Sequence, residues 1–69
     1  MNRITLIELL TNLVYKKEYP KCVHYKGCAY EFDSVLNDYY NSNCELLLAE
    51  MLKDNATPSV LQTELVIGD

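Results

Sequence analysis

KCVHYKGCAYEFD, residues 21–33, alternates apolar and polar side chains on both sides of Lys26-Gly27. A two-residue turn at that pair puts Tyr25 opposite Cys28, Val23 opposite Tyr30 and Lys21 opposite Phe32, because directly paired residues of an antiparallel ladder share a face. One face then collects Val23, Tyr25, Cys28, Tyr30 and Phe32, and the other Cys22, His24, Ala29, Glu31 and Asp33. A sheet with one solvated face requires this sorting. In a rival register, Gly27 would be the left-handed bulge residue after a type I turn, His24 would pair with Cys28, and Cys22, His24 and Cys28 would share a side. That register strands Val23 and Tyr25 beside Ala29 and Glu31. The sorting therefore favours the two-residue turn, although Lys is not the best residue for a positive φ.

Upstream, residues 4–19 carry a helical period. Thr5 and Glu8 have capping-box spacing, with Ile4 and Leu9 at the staple positions. Leu6, Leu9, Leu10, Leu13 and Val14 form the apolar stripe, Lys16 and Lys17 suit the negative end of the helix dipole, and Pro20 ends the helix by forcing Tyr19 toward an extended conformation. Downstream, DSVLNDYYNSN (33–43) is rich in Asp, Asn and Ser and reads as a loop or an irregular extension of the second strand. Ser42 and Glu45 repeat the capping-box spacing before CELLLAEMLKD, which predicts a second helix of two to three turns, capped at its end by Asn55 and followed by Pro58. VLQTELVIGD (60–69) then alternates, with Leu61, Thr63, Leu65 and Ile67 on one side and Val60, Gln62, Glu64 and Val66 on the other, and predicts a third strand. The expectation is a single α+β domain over residues 1–69, order α-β-β-α-β, in which helices pack on a three-stranded antiparallel sheet.

At 69 residues the chain buries only about 60% of the surface its unfolded form exposes, so a homodimer or another partner would add to a thin stability margin. Its 49% hydrophobic content is too high for a disordered chain despite the net charge of -4. No apolar run approaches the length of a membrane span, and MNRITLIELLTNL carries one Arg and an early Glu where a signal peptide has an unbroken apolar run. A cytoplasmic chain with no membrane contact is expected, and its three cysteines are then expected as free thiols.

Zinc is the sharpest chemical hypothesis, because Cys22, His24, Cys28 and Cys44 would supply three thiolates and an imidazole. The number of ligands fits, but the spacing does not. Structural sites use tight pairs such as C-x2-C, and the favoured hairpin register turns Cys28 away from Cys22 and His24. Neither a metal nor any other cofactor is therefore expected. A nucleophilic role for Cys44 at a helix start lacks a base close in sequence, and two glycines in the whole chain cannot build a phosphate loop, so no catalytic residue is assigned. Charge is polarised: residues 1–27 hold five cations and two acids, a net of +3, and residues 28–69 hold one cation and eight acids, a net of -7. An acidic surface steers toward a basic partner, including one built to hold nucleic acid, and argues against direct nucleic-acid binding. Tyr39 and Tyr40 lie in the turn-rich segment and offer large, rigid, polar-tipped contacts, against the alternative that at least one of an adjacent Tyr pair packs inward as a strand extension. With Asp38, Glu31, Asp33 and Glu45 they are the candidate partner-binding residues.

TLIELL at 5–10, PKCVHYKGCAYEFD at 20–33, DYYN at 38–41 and LQTELVI at 61–67 together resemble small accessory proteins encoded by phages and prophages of Firmicute bacteria. In these a helix leads into a PK-x-I-x-Y-N-G-x-x-Y-E-x-D segment, then an acidic Tyr-rich stretch and a closing strand. The likeness spans nearly the whole chain, departs in its cysteines and in Lys26, where Asn is usual, and brings no catalytic residues. It implies a phage protein acting inside a bacterial cell, and by analogy an anti-defence inhibitor of the anti-CRISPR kind. The expected function is non-enzymatic inhibition of a host defence or nucleic-acid-handling protein through the acidic, Tyr-containing surface. A module that sequesters a nucleotide or metal, as a dimer, is the alternative.

Overall fold

The computed structural model describes residues 2–53 and 56–68. Strand β1 (Arg3–Thr5) runs directly into helix α1 (Leu6–Thr11), which continues as one π-helical turn (Asn12–Lys16). Strands β2 (Cys22–Tyr25), β3 (Cys28–Asp33) and β4 (Asp38–Tyr40) follow as a meander, then helices α2 (Leu47–Leu52) and α3 (Pro58–Leu61) and strand β5 (Glu64–Ile67). The five strands form one sheet of order β1-β5-β2-β3-β4, antiparallel throughout. The fold is α+β with helices packed on an antiparallel sheet, as expected, but the sheet has five strands rather than three and the element order differs accordingly.

The hairpin adopts the favoured register: Cys22 pairs with Glu31, Val23 with Tyr30, His24 with Ala29 and Tyr25 with Cys28. Lys26 (φ 51°) and Gly27 (φ 78°) are both left-handed, the two-residue geometry whose twist matches that of the strands. The Lys26 ammonium lies 5.3 Å from the centre of the Tyr25 ring. Val23 is fully buried, with Tyr25, Tyr30 and Phe32 half-buried on the same face.

Both extra strands come from short segments that periodicity does not resolve. Thr5 caps α1 as expected, its hydroxyl accepting from the Glu8 N–H at 3.3 Å and donating to the Glu8 carboxylate at 2.9 Å. A capping residue is extended, here φ -78° and ψ 157°, so the residues before it can continue as a strand. Ile4 is accordingly no staple in a helix: it pairs with Leu65 of β5 and is buried. At the other edge the expected loop contains β4, because Asp33 Oδ1 accepts from the N–H groups of Val35 and Leu36 and Asn37 takes φ 53°, which turns the chain back.

The first helix ends earlier than expected, at Lys17, which is left-handed (φ 57°). Its stripe also breaks: Leu6, Leu9 and Leu13 are buried, but Val14 is 57% exposed, since a π-turn shifts the following residues around the axis relative to a 3.6-residue period. The Ser42/Glu45 capping box does not form. Helix α2 starts two residues after Glu45 and has no cap from its own N-cap residue, Leu46. Pro58 begins α3 as its first residue, with Thr57 as N-cap, so the third predicted strand shortens to Glu64–Ile67. The expected cap at Asn55 lies outside the described residues.

Buried side chains from α1, the π-helical turn, α2 and four strands meet on one side of the sheet: Leu6, Leu9 and Leu13, Leu47 and Leu48, Ile4, Val23, Tyr39 and Leu65. Strand β5 lies between β1 and β2, donating its Ile67 N–H to the Asn2 carbonyl, while the Gly68 N–H goes to the Cys22 carbonyl. Among the described residues, the side chains on the other face of the sheet are at least partly exposed, Asp38 apart.

Candidate functional site

The register assigns this outer face. It carries Arg3 and Thr5 of β1, Glu64 and Val66 of β5, Cys22 and His24 of β2, Ala29, Glu31 and Asp33 of β3, and Asp38 and Tyr40 of β4. All but Asp38 are at least partly exposed. Arg3 and Glu64 neutralise each other at the β1 edge, 3.6 Å apart. The acidic end lies on β3 and β4. Glu31 sits directly across from Tyr40, whose hydroxyl reaches its carboxylate at 3.5 Å. Beside them Asn41 organises the loop leaving β4: its Oδ1 accepts from the N–H groups of Asn43 and Glu45, and its Nδ2 donates to the Glu45 carboxylate at 2.9 Å. Neither Glu31 nor Glu45 belongs to an ion pair among the described residues. A shallow groove of about 290 Å³ runs between Cys22, Ala29, Glu31, Tyr40, Asn41 and Ser42.

Three of the six candidate partner-binding residues are therefore presented together: Glu31, Tyr40 and Glu45. Tyr39 and Asp38 are not. Tyr39 is fully buried; its ring meets Phe32 edge-on with centroids 5.2 Å apart, and its hydroxyl donates to the Pro20 carbonyl. Successive strand residues point to opposite faces, so a Tyr pair in β4 must place one ring inside and one outside. Asp38 is 6% exposed, and its carboxylate is filled by backbone donors: Tyr39 (2.6 Å) and Leu48 (2.8 Å) on Oδ1, Ala49 (3.0 Å) on Oδ2. From the neighbouring strand it does for the first turn of α2 what the side chain of the N-cap residue, Leu46, cannot. Asp33, half-buried, spends one oxygen on its own turn.

Cys22 and His24 share the outer face and Cys28 lies on the opposite one, so these three do not converge. Among the described residues no group of three or more His, Cys, Asp and Glu is placed to hold a metal ion. Cys44 is exposed and left-handed (φ 61°), three residues before the first residue of α2, and so is not at a helix N-terminus. Sequence reasoning missed Gly68. A β-carbon there would come 2.6 Å from His24 Nε2 and 3.0 Å from Cys22 Sγ, so the bare backbone lets both side chains lie over it. It also missed a second groove of about 550 Å³ at the hairpin end, walled by His24, Tyr25, Lys26 and Glu64 over Val66 and Ile67. Among the described residues no helix is long and apolar enough to cross a membrane. Compared with known proteins, the chain matches no family model, no curated protein and no solved structure.

Proposed function

We propose that this chain is a non-enzymatic interaction protein of the phage or prophage kind, which inhibits a host defence or nucleic-acid-handling protein by covering a basic surface on it. The observation that carries the reading is the outer sheet face, where Glu31 and Tyr40 form a cross-strand pair and Glu45 is held beside them by Asn41. Glu31 and Glu45, which pair with no cation among the described residues, favour a partner that brings one, and the half-buried Tyr40 ring offers contact area at low entropy cost. Quantitative pull-down from bacterial lysate tests it, with wild type beside a Glu31→Lys, Glu45→Lys variant and Tyr40→Ala. A basic protein retained by wild type and lost from both variants is expected; identical capture by all three sinks the reading.

A second reading, a small-ligand module, rests on the groove of about 550 Å³, a size that suits a small molecule. Native mass spectrometry of protein expressed in cells separates the two. A retained ligand mass, lost on changing Lys26 to Glu, favours the module, and bare protein removes it.

A further inference from the structure

Large apolar side chains left exposed among the described residues are Ile7, Val14, Tyr15, Tyr19, Val35 and Leu36. Topology brings all but Ile7 to one end of the molecule. Strand β1 and strand β2 point the same way, since each is antiparallel to β5, so the helical segment between them must return to the end where β2 begins. Val14 and Tyr15 therefore lie at that end. Strand β3 runs back from the Lys26-Gly27 turn, so the β3–β4 turn carrying Val35 and Leu36 lies there too. Tyr19 lies at this end as well, since its ring stacks on Phe32 with centroids 4.3 Å apart, just before the turn.

These are not side chains on a loose loop. Asp33 Oδ1 holds the N–H groups of both Val35 and Leu36, at 2.8 and 3.2 Å, and the Tyr19, Phe32 and Tyr39 rings brace the strands behind them. Val35 is 91% exposed and Tyr15 81%. A turn built by an Asp and a left-handed Asn needs no apolar residue between them, so the turn's own geometry does not account for Val35 and Leu36. Together the five exposed side chains present about 600 Å², the upper limit for a patch on an ordinary monomer.

We propose that this end is a self-association surface, and that its occupant is the same end of a second copy of this chain. The patch is divided in a way that suits a two-fold contact. Its helical half pairs Val14 and Tyr15 with Lys16 and Lys17, while its hairpin half pairs Val35 and Leu36 with Asp33; Tyr19, next to Glu18, lies between. Rotation about an axis near Tyr19 lays the basic half of each copy on the acidic half of the other, so both apolar pairs are covered and opposite charges meet at the rim. Two such patches bury about 1,200 Å², the lower bound for a specific interface, which corresponds to a reversible dimer. The surface uses none of Glu31, Tyr40 and Glu45, so it stands or falls separately from the proposed function.

Sedimentation equilibrium from about 5 µM to about 1 mM tests this. Wild type is expected to shift from monomer to dimer across that range. Val35→Ser with Leu36→Ser is expected to raise the dissociation constant at least about tenfold with an unchanged circular dichroism spectrum, as is Lys16→Glu with Lys17→Glu. Ile7→Ser, at the opposite end, is expected to leave it unchanged. A wild type that remains monomeric throughout, a Val35/Leu36 or Lys16/Lys17 variant that associates like wild type, or equal loss in Ile7→Ser overturns the proposal.

Discussion

Replacing Asp38 with Ala tests whether one side chain holds the second helix to the sheet. Its buried carboxylate accepts from the amides of Tyr39, Leu48 and Ala49 at 2.6, 2.8 and 3.0 Å. Leu48 is 6% exposed, so its N–H has little access to water as a substitute acceptor, whereas Ala49 is exposed and does. A hydrogen bond to a charged acceptor is worth about 1.5–3 kcal/mol, and deleting an N-cap costs about 0.5–2 kcal/mol. Taking the upper part of the first range for Leu48 and the lower part of the second for Ala49, Asp38→Ala is expected to cost about 3 kcal/mol.

That is a large share of the whole, since a chain of 69 residues holds about 3.5–10 kcal/mol in total. The melting temperature should fall by about 12–24 °C. Asp38→Asn keeps one acceptor oxygen and should cost about 1–1.5 kcal/mol, while Glu31→Ala on the outer face should stay within about 0.5 kcal/mol of wild type. Urea unfolding followed by far-ultraviolet circular dichroism gives these differences, and hydrogen exchange localises them to the Leu48 and Ala49 amides. If Asp38→Ala unfolds within about 0.5 kcal/mol of wild type, the cap contributes nothing and α2 is held by its leucines alone.

Changing Lys26 to Asn, which tolerates a positive φ better, should stabilise the hairpin by about 0.5 kcal/mol net of the lost contact with Tyr25; Gly27→Ala, where φ is 78° with no atom within 4 Å, should cost about 1 kcal/mol through backbone strain alone. Thermal unfolding reads both. Tyr39→Phe should cost about 1 kcal/mol by removing the bond to Pro20, and Tyr39→Ala about 3–5 kcal/mol, so a binding defect in Tyr39→Ala would report unfolding rather than a lost contact. Urea titration of each variant beside Tyr40→Ala decides it. Brief alkylation with iodoacetamide should give two fast adducts, at Cys28 and Cys44, and a slower one at the half-buried Cys22, counted by intact mass.

The central hairpin was legible because its signal is local. Thirteen residues contain both strands and the turn, and only one register keeps Val23, Tyr25, Tyr30 and Phe32 together. The Thr5 cap was legible for the same reason, its partner lying three residues away. The edge strands were not, because three residues cannot establish a period of two: β1 is defined by β5, near the other end of the sequence, and β4 follows a turn-rich stretch that reads as loop. Val14 was misplaced because nothing in NLVYK marks a π-turn.

The same distinction explains the mixed outcome for the candidate site. Asp38 and Tyr39 look like surface residues by composition, with a Tyr pair and turn formers around them, yet the fold uses the carboxylate as a cap for amides ten and eleven residues ahead and the first ring as core. Strand parity would have separated the two tyrosines, given β4. Phe32 faces the core, the turn closes on Asp33 and Asp38, and the residue opposite Phe32 must face the core with it. Tyr40 and Glu31 are then forced outward as a pair. What the acidic segment offers a partner is therefore decided by how the fold uses each residue more than by its charge: the β3–β4 register turns Glu31 and Tyr40 outward and Tyr39 inward, the α2 amides draw in Asp38, and Asn41 holds Glu45 beside the exposed pair.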